Sequence, residues 1–91
     1  MNENTLTQYE AAFAKCKDVY LKKTKDYGTS WRILRARSIT DQIYIKAKRI
    51  RTIDETGENK VGDSIESEFI GCVNYGIIAI IQLQLENKKE T

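Results

Sequence analysis

Residues 64–85 read SIESEFIGCVNYGIIAIIQLQL, and what this run forms decides the fold. From residue 69 to 85 it is apolar nearly all round, broken only by Asn74, Gln82, Gln84 and the small residues. The isoleucines and the alternation at the end of GIIAIIQLQL (76–85) would suit a strand. A membrane span needs roughly 20 apolar residues with few polar breaks, and by that measure the run is too short and too rich in amides. Its acidic opening, DSIESE (63–68), suits the amino end of a helix, where the backbone dipole favours negative charge. A helix is therefore the reading taken. A helix that is apolar on every face must be buried on every face, and three helices in 91 residues cannot enclose it. The expectation is that a second subunit, or a second copy of the domain, covers the remainder. Gly71, Gly76 and Ala79 would permit close helix approach there.

The chain before this run is also helical in pattern. Thr7-Gln8-Tyr9-Glu10 has the form of a capping box, with Leu6 and Ala11 placed as a hydrophobic staple. Tyr9, Phe13, Cys16 and Tyr20 then follow at helical spacing, and Gly28 is a natural left-handed terminator. This predicts a first helix from about 7 to about 26. Ser30 can cap a short second piece over WRILRAR (31–37). A third segment opens at Ser38, with Asp41 three residues on and an apolar stripe of Ile39, Ile43, Ala47 and Ile50. The stretch 54–63 carries two glycines and alternating charge and reads as an exposed loop. The expected fold class is an all-α bundle of three long helices and one short one. It forms a single domain over 1–91 with a structured core of about 7–86, dimeric through the last helix.

Composition narrows the chemistry. Histidine is absent, which removes the commonest general base and zinc ligand, so any metal would be a hard cation held by carboxylates. Cys16 and Cys72 each lie in an apolar run rather than a paired motif, as reduced core thiols do. With the polar opening MNENTLTQYE, this gives a cytoplasmic expectation. No Ser-His-Asp, Cys-His or P-loop constellation is present, so covalent catalysis is not expected. Charge is unevenly spread. Residues 22–51 carry ten Lys/Arg against two acids, a balance of +8, whereas residues 52–91 carry three Lys against eight acids, a balance of −5. That asymmetry suits an anionic ligand, and equally a charge match within or between chains.

Phosphate recognition needs fixed positive charge, free backbone amides, or both. Arg32, Arg35, Lys46 and Arg49 offer the charge, and the turn at Gly28 offers amides. Tyr27 and Trp31 are placed to stack a base, or else to anchor the core. Asp63 and Glu66 share a helix face, and Asp41 could project toward them to hold magnesium. The alternative is that these acids serve the helix dipole. Asn74, in the middle of an apolar helix, needs partners, and a bond across a helix pair is the favoured role. Lys46 and Arg49 lie three apart on one helix face.

KDYGTSWR (25–32), SITDQIYIKAKRIRTI (38–53) and SIESEFIGCVNYGIIAIIQL (64–83) resemble a bacterial and phage family called nucleotide modification associated domain 1. The resemblance spans residues 7–85 and implies a link to nucleotide or DNA-base modification. Longer members of that family carry two copies of the unit, which implies a homodimer or a tandem-copy partner for a lone one. The layout is also similar to the MazG-like all-α nucleoside triphosphate pyrophosphatases, which hold magnesium with paired acids on two helices. This chain departs from that pattern, with no ExxE in the third segment and Gly71 where an acid often stands. By family position the resemblance points to Asp26, Tyr27, Trp31, Asp41, Lys46, Arg49, Glu66, Asn74 and Tyr75. It implies a nucleotide-binding domain. Arg32, Lys46 and Arg49 would sit on phosphate, Tyr27 or Trp31 on the base, and Asp41 and Glu66 on magnesium, with weak pyrophosphohydrolase activity. The alternative is a non-enzymatic interaction domain whose basic face binds nucleic acid or a partner protein. No membrane association is expected.

Overall fold

A computed structural model describes residues 3–28, 36–57 and 64–90. It contains three α-helices: α1 (Glu3–Tyr27), α2 (Ala36–Thr56) and α3 (Ile65–Glu90). Among the described residues there is no strand, so the chain is all-α and the run 64–85 is a helix. The short piece expected at 31–37 falls almost wholly outside the described residues, as do Trp31 and Arg32.

The helix stops are local and legible. α1 ends where Gly28 takes φ 68° and its N–H donates to the Thr24 carbonyl at 2.8 Å. α2 ends the same way, with Gly57 at φ 72° donating to the Ile53 carbonyl at 2.8 Å. Both are left-handed terminators, a conformation that glycine adopts without a Cβ clash. Ser64 caps α3: its Oγ accepts the Ser67 amide at 3.0 Å, and Glu66 and Glu68 occupy the acidic first turn.

The helix starts differ from expectation. α1 begins at Glu3, so the Thr7 capping-box pattern lies inside the helix. Nothing between Glu3 and Thr7 breaks a helix. α2 begins at Ala36, ahead of Ser38, and runs to Thr56, three residues into the expected loop. There the Thr52 and Thr56 hydroxyls fold back onto the Lys48 and Thr52 carbonyls and leave no outward polar demand that would end the helix early.

α3 is the spine. α2 packs along it in antiparallel register, since Lys46 lies over Gly71 and Arg49 reaches Glu68. Ile39 and Ile50 of α2 and Ile78 of α3 are buried in this layer, as the stripe Ile39, Ile43, Ala47, Ile50 predicts for its end members. α1 leans on α3 near its middle, where Cys16 is buried and Asn74 Nδ2 donates to the Cys16 carbonyl at 3.0 Å. The expected cross-helix bond of Asn74 is therefore present. Of the rest of the α1 stripe Tyr20 is half-buried, whereas Tyr9 and Phe13 are exposed.

At 100° per residue, the side chains of α3 divide into three unequally spaced sectors, the one facing α1 and the one facing out lying side by side about 80° apart and the one facing α2 about 130–150° from each. Glu66, Ile70 and Asn74 face α1, and Glu68, Gly71, Tyr75 and Gln82 face α2. Phe69, Val73, Ile77, Ile80 and Leu83 fill the third sector, and all five are exposed. The helix is 26 residues long and is apolar enough over Ile65–Asn87 to cross a membrane by length and composition, with 22% of that stretch buried. The sequence expectation that the run is too short for a span is corrected on length.

Candidate functional site

Two polar constellations sit on the buried sectors of α3. The first is between α2 and α3. Glu68 is 1% exposed, with Lys46 Nζ at 3.6 Å and Arg49 Nη1 at 3.9 Å from its two carboxylate oxygens. Neither separation is a direct hydrogen bond, and neither oxygen has another hydrogen-bond partner. Lys46 reaches Glu68 by lying across Gly71: a Cβ there would stand 2.7 Å from the Lys46 Cε. Its ammonium is also 5.9 Å from the centre of the Tyr75 ring, close enough for a cation–π contact. Gly71 thus has a purpose the sequence does not reveal, which is to make room for a lysine stem.

Lys46 and Arg49 were nominated for phosphate, and the structure turns both toward Glu68. From sequence Glu68 reads only as a further acid near Asp63 and Glu66, on another face of the helix start. The signal that could have found it is its i, i+3, i+7 relation with Gly71 and Tyr75, which puts a charge on a buried stripe.

The second constellation is a cleft of about 470 Å³ between α1 and α3. Val19, Ile70 and Ile78 form its apolar wall, with Tyr20 and Tyr75 alongside. Lys15, Lys23 and Glu66 stand around it, and Gly28 closes one end of it where α1 stops. Lys15 pairs with Glu66 across the cleft, while among the described residues Lys23 makes no ion pair. The amino end of α3, Ser64 and Ser67, opens on the same space, with the Ser67 amide already held by the Ser64 Oγ, and the dipole of a helix start favours an anion. Its size is within the usual range for small-ligand sites, about 300–1,000 Å³.

The family-matched residues divide accordingly. Asn74, Tyr75 and Glu66 line the cleft. Asp26 is exposed on the last turn of α1, and Tyr27 is the last residue of that helix. Asp41 is exposed on α2. The antiparallel register (46 beside 71, 49 beside 68) sets Asp41 level with residue 76 and Glu66 level with residue 51. They are ten residues apart along the helix pair, about 15 Å at 1.5 Å per residue. Among the described residues no three Cys, Asp or Glu side chains converge as a metal group would require.

An all-α domain built on a central apolar helix, with a lysine-and-tyrosine-lined cleft against one side, is the class that this geometry defines. The profile of the family described as nucleotide modification associated domain 1 matches residues 23–83. The chain belongs to that family. Neither the curated proteins nor the solved structures contain a match to it, and these comparisons lend no support to the likeness with MazG-like pyrophosphatases.

Proposed function

We propose that the protein binds a nucleotide in the cleft between α1 and α3, as a domain serving nucleotide or DNA-base modification. One observation carries this: the cleft joins an apolar wall bearing Tyr20 and Tyr75 to a helix amino end and to Lys23, which makes no ion pair among the described residues. A base needs the former for stacking, and a phosphate needs the latter two. The family's association with nucleotide modification favours the same ligand class.

Hydrolysis is the weaker reading of the same site. Pyrophosphohydrolase chemistry would place several carboxylates around magnesium and the phosphates. Among the described residues lining the cleft, Glu66 is the only acid. Magnesium is often held by one or two carboxylates together with substrate phosphates, so Glu66 suits an ion that arrives with the nucleotide rather than a resident metal centre. Such an ion would neutralise phosphate charge beside the Glu66 carboxylate.

The test is a thermal-shift panel of common and modified (d)NTPs, with and without magnesium, followed by calorimetry. At 100-fold over the dissociation constant, ligand should stabilise the native state by about 2.7 kcal/mol. That is about 10 °C or more for a domain of this size. Lys23→Ala and Tyr75→Leu should each weaken binding about tenfold or more, and a flat panel refutes the reading. A second reading rests on α2, whose Arg37 and Lys48 are exposed: a basic face for nucleic acid. It predicts binding that falls steeply with salt and ignores Glu66→Gln.

A further inference from the structure

Among the described residues no element covers the third sector of α3, which leaves Phe69, Val73, Ile77, Ile80 and Leu83 exposed. The chain exposes 7397 Å² in total, whereas a compact folded monomer of 10.5 kDa exposes about 5,400 Å². Its radius of gyration is 15.2 Å, against about 12 Å for a compact domain of this length. That excess of about 2,000 Å² is shared among the helices, since Leu6, Tyr9, Phe13 and Leu21 of α1 and Tyr44 and Ile45 of α2 are exposed as well, and the open sector of α3 contributes part of it.

The pattern of the open sector is its own complement. Phe69 and Leu83 are equidistant from Gly76, and so are Cys72 and Ile80, and Val73 and Ala79. Two such helices crossing in opposite directions at Gly76 would set apolar against apolar at each of these levels, with no charged residue between 69 and 85 to be stripped of water. Gly76 supplies the second half of the argument. A glycine inside a helix weakens it relative to alanine, so its place needs a cause. At Gly71 the cause is the Lys46 stem, but a Cβ at Gly76 would meet nothing within 4 Å. The space in front of Gly76 is used by nothing in this chain.

Lipid is a poorer occupant than protein. Lifting α3 into hydrocarbon would either tear Glu68 from Lys46 and Arg49 or carry all three charges in, along with the basic remainder of α2. We infer that a second copy of this chain covers the open sector of α3, packing on Phe69, Val73, Ile77, Ile80 and Leu83 about a two-fold axis at Gly76. The inference is independent of the nucleotide reading, since the cleft lies on another sector.

The experiment is light scattering with size exclusion and sedimentation, on the full chain at low micromolar concentration. The wild type should run at about 21 kDa, twice the 10.5 kDa chain. Gly76→Leu should be a helical monomer, because the added side chain enters empty space within one copy but fills the crossing point between two. Ile80→Asp should raise the dissociation constant at least 100-fold. A monomeric wild type overturns the inference, as does a Gly76→Leu variant that stays dimeric, and so does recovery of the wild type as monomer on neutral phosphatidylcholine vesicles. Should Ile80→Asp lose its helices, the wild type decides alone. Its unfolding midpoint must rise with protein concentration, and a midpoint constant over a hundredfold dilution overturns the proposal.

Discussion

Replacing Lys46 with methionine isolates the electrostatics of the α2–α3 layer, because the stem that crosses Gly71 is kept and only the charge is lost. Glu68 is 1% exposed and has no direct hydrogen bond to either oxygen, so among the described residues its charge is balanced by Lys46 at 3.6 Å and Arg49 at 3.9 Å. With an effective dielectric of about 20, each pair gains about 4–5 kcal/mol of gross attraction, which offsets the cost of taking the carboxylate out of water. Breaking a buried pair by removing one partner costs about 3–5 kcal/mol. Arg49 remains after Lys46→Met, so the expected loss is at the low end, about 3 kcal/mol, or about 12–24 °C in Tm. Arg49→Met should cost less, since Arg49 is 43% exposed whereas Lys46 is 17% exposed, and water screens the former. The decisive variant is the double change Lys46→Met with Glu68→Met. Apolar replacement of a whole buried pair is often neutral or stabilising, so the double variant should regain most of what the single one loses. Urea unfolding followed by circular dichroism measures all three at one protein concentration. A cost below 1 kcal/mol for Lys46→Met, or a double variant no more stable than the single, would refute the reasoning.

Asn74→Leu should cost about 1 kcal/mol, because it removes the 3.0 Å part-buried bond to the Cys16 carbonyl, which keeps only its partner within α1. Amide exchange should quicken along α1 rather than α2, and uniform acceleration in both would count against this placement. Gly28→Ala should destabilise by about 1 kcal/mol although a Cβ meets nothing there, because the φ of 68° is left-handed. Thermal unfolding reads it as a drop of about 4–8 °C, and an unchanged midpoint would show that α1 stops for another reason.

How much of this the sequence discloses depends on the range of the cause. Gly28 as a terminator, Ser64 at the start of α3, and the α2 stripe ending in Ile39 and Ile50 are set by residues within one or two turns, and all three are legible. The tyrosine stripe of α1 is legible as a pattern, but its burial is not. Whether Tyr9 and Phe13 are covered depends on where α1 crosses α3, which no local spacing encodes. The charges fail in a similar way. Lys46 and Arg49 read as a phosphate grip because their spacing gives them one face. Whether that face meets a ligand or a buried acid is decided by the register of α2 on α3. Glu68, taken alone, reads as one more acid at a helix start. Only the pairing of 46 with 71 turns it into a buried counter-ion. The cleft is least legible of all, since Val19, Tyr20 and Lys23 acquire a role only when Ile70 and Tyr75 stand opposite.

The oddity of the last helix, apolar on every face, comes apart into three separate demands. One sector must bury against α2 while hosting Glu68, a second must wall the cleft beside α1, and a third faces out. Each demand taken singly would give an amphipathic helix with an ordinary polar back. Superimposed around one helix they leave no polar back at all, which is why periodicity reads weakly there while the bulk signal approaches that of a membrane span. The division also bears on function. A ligand between α1 and α3 touches Ile70, Asn74 and Tyr75, none of which lies in the open sector. Substitutions at Val73, Ile77 or Ile80 should therefore leave ligand affinity per chain unaltered, provided that a single copy keeps its helices. If affinity fell in step with dimer dissociation, the site would be shared between copies, and the cleft within one chain would be only part of it.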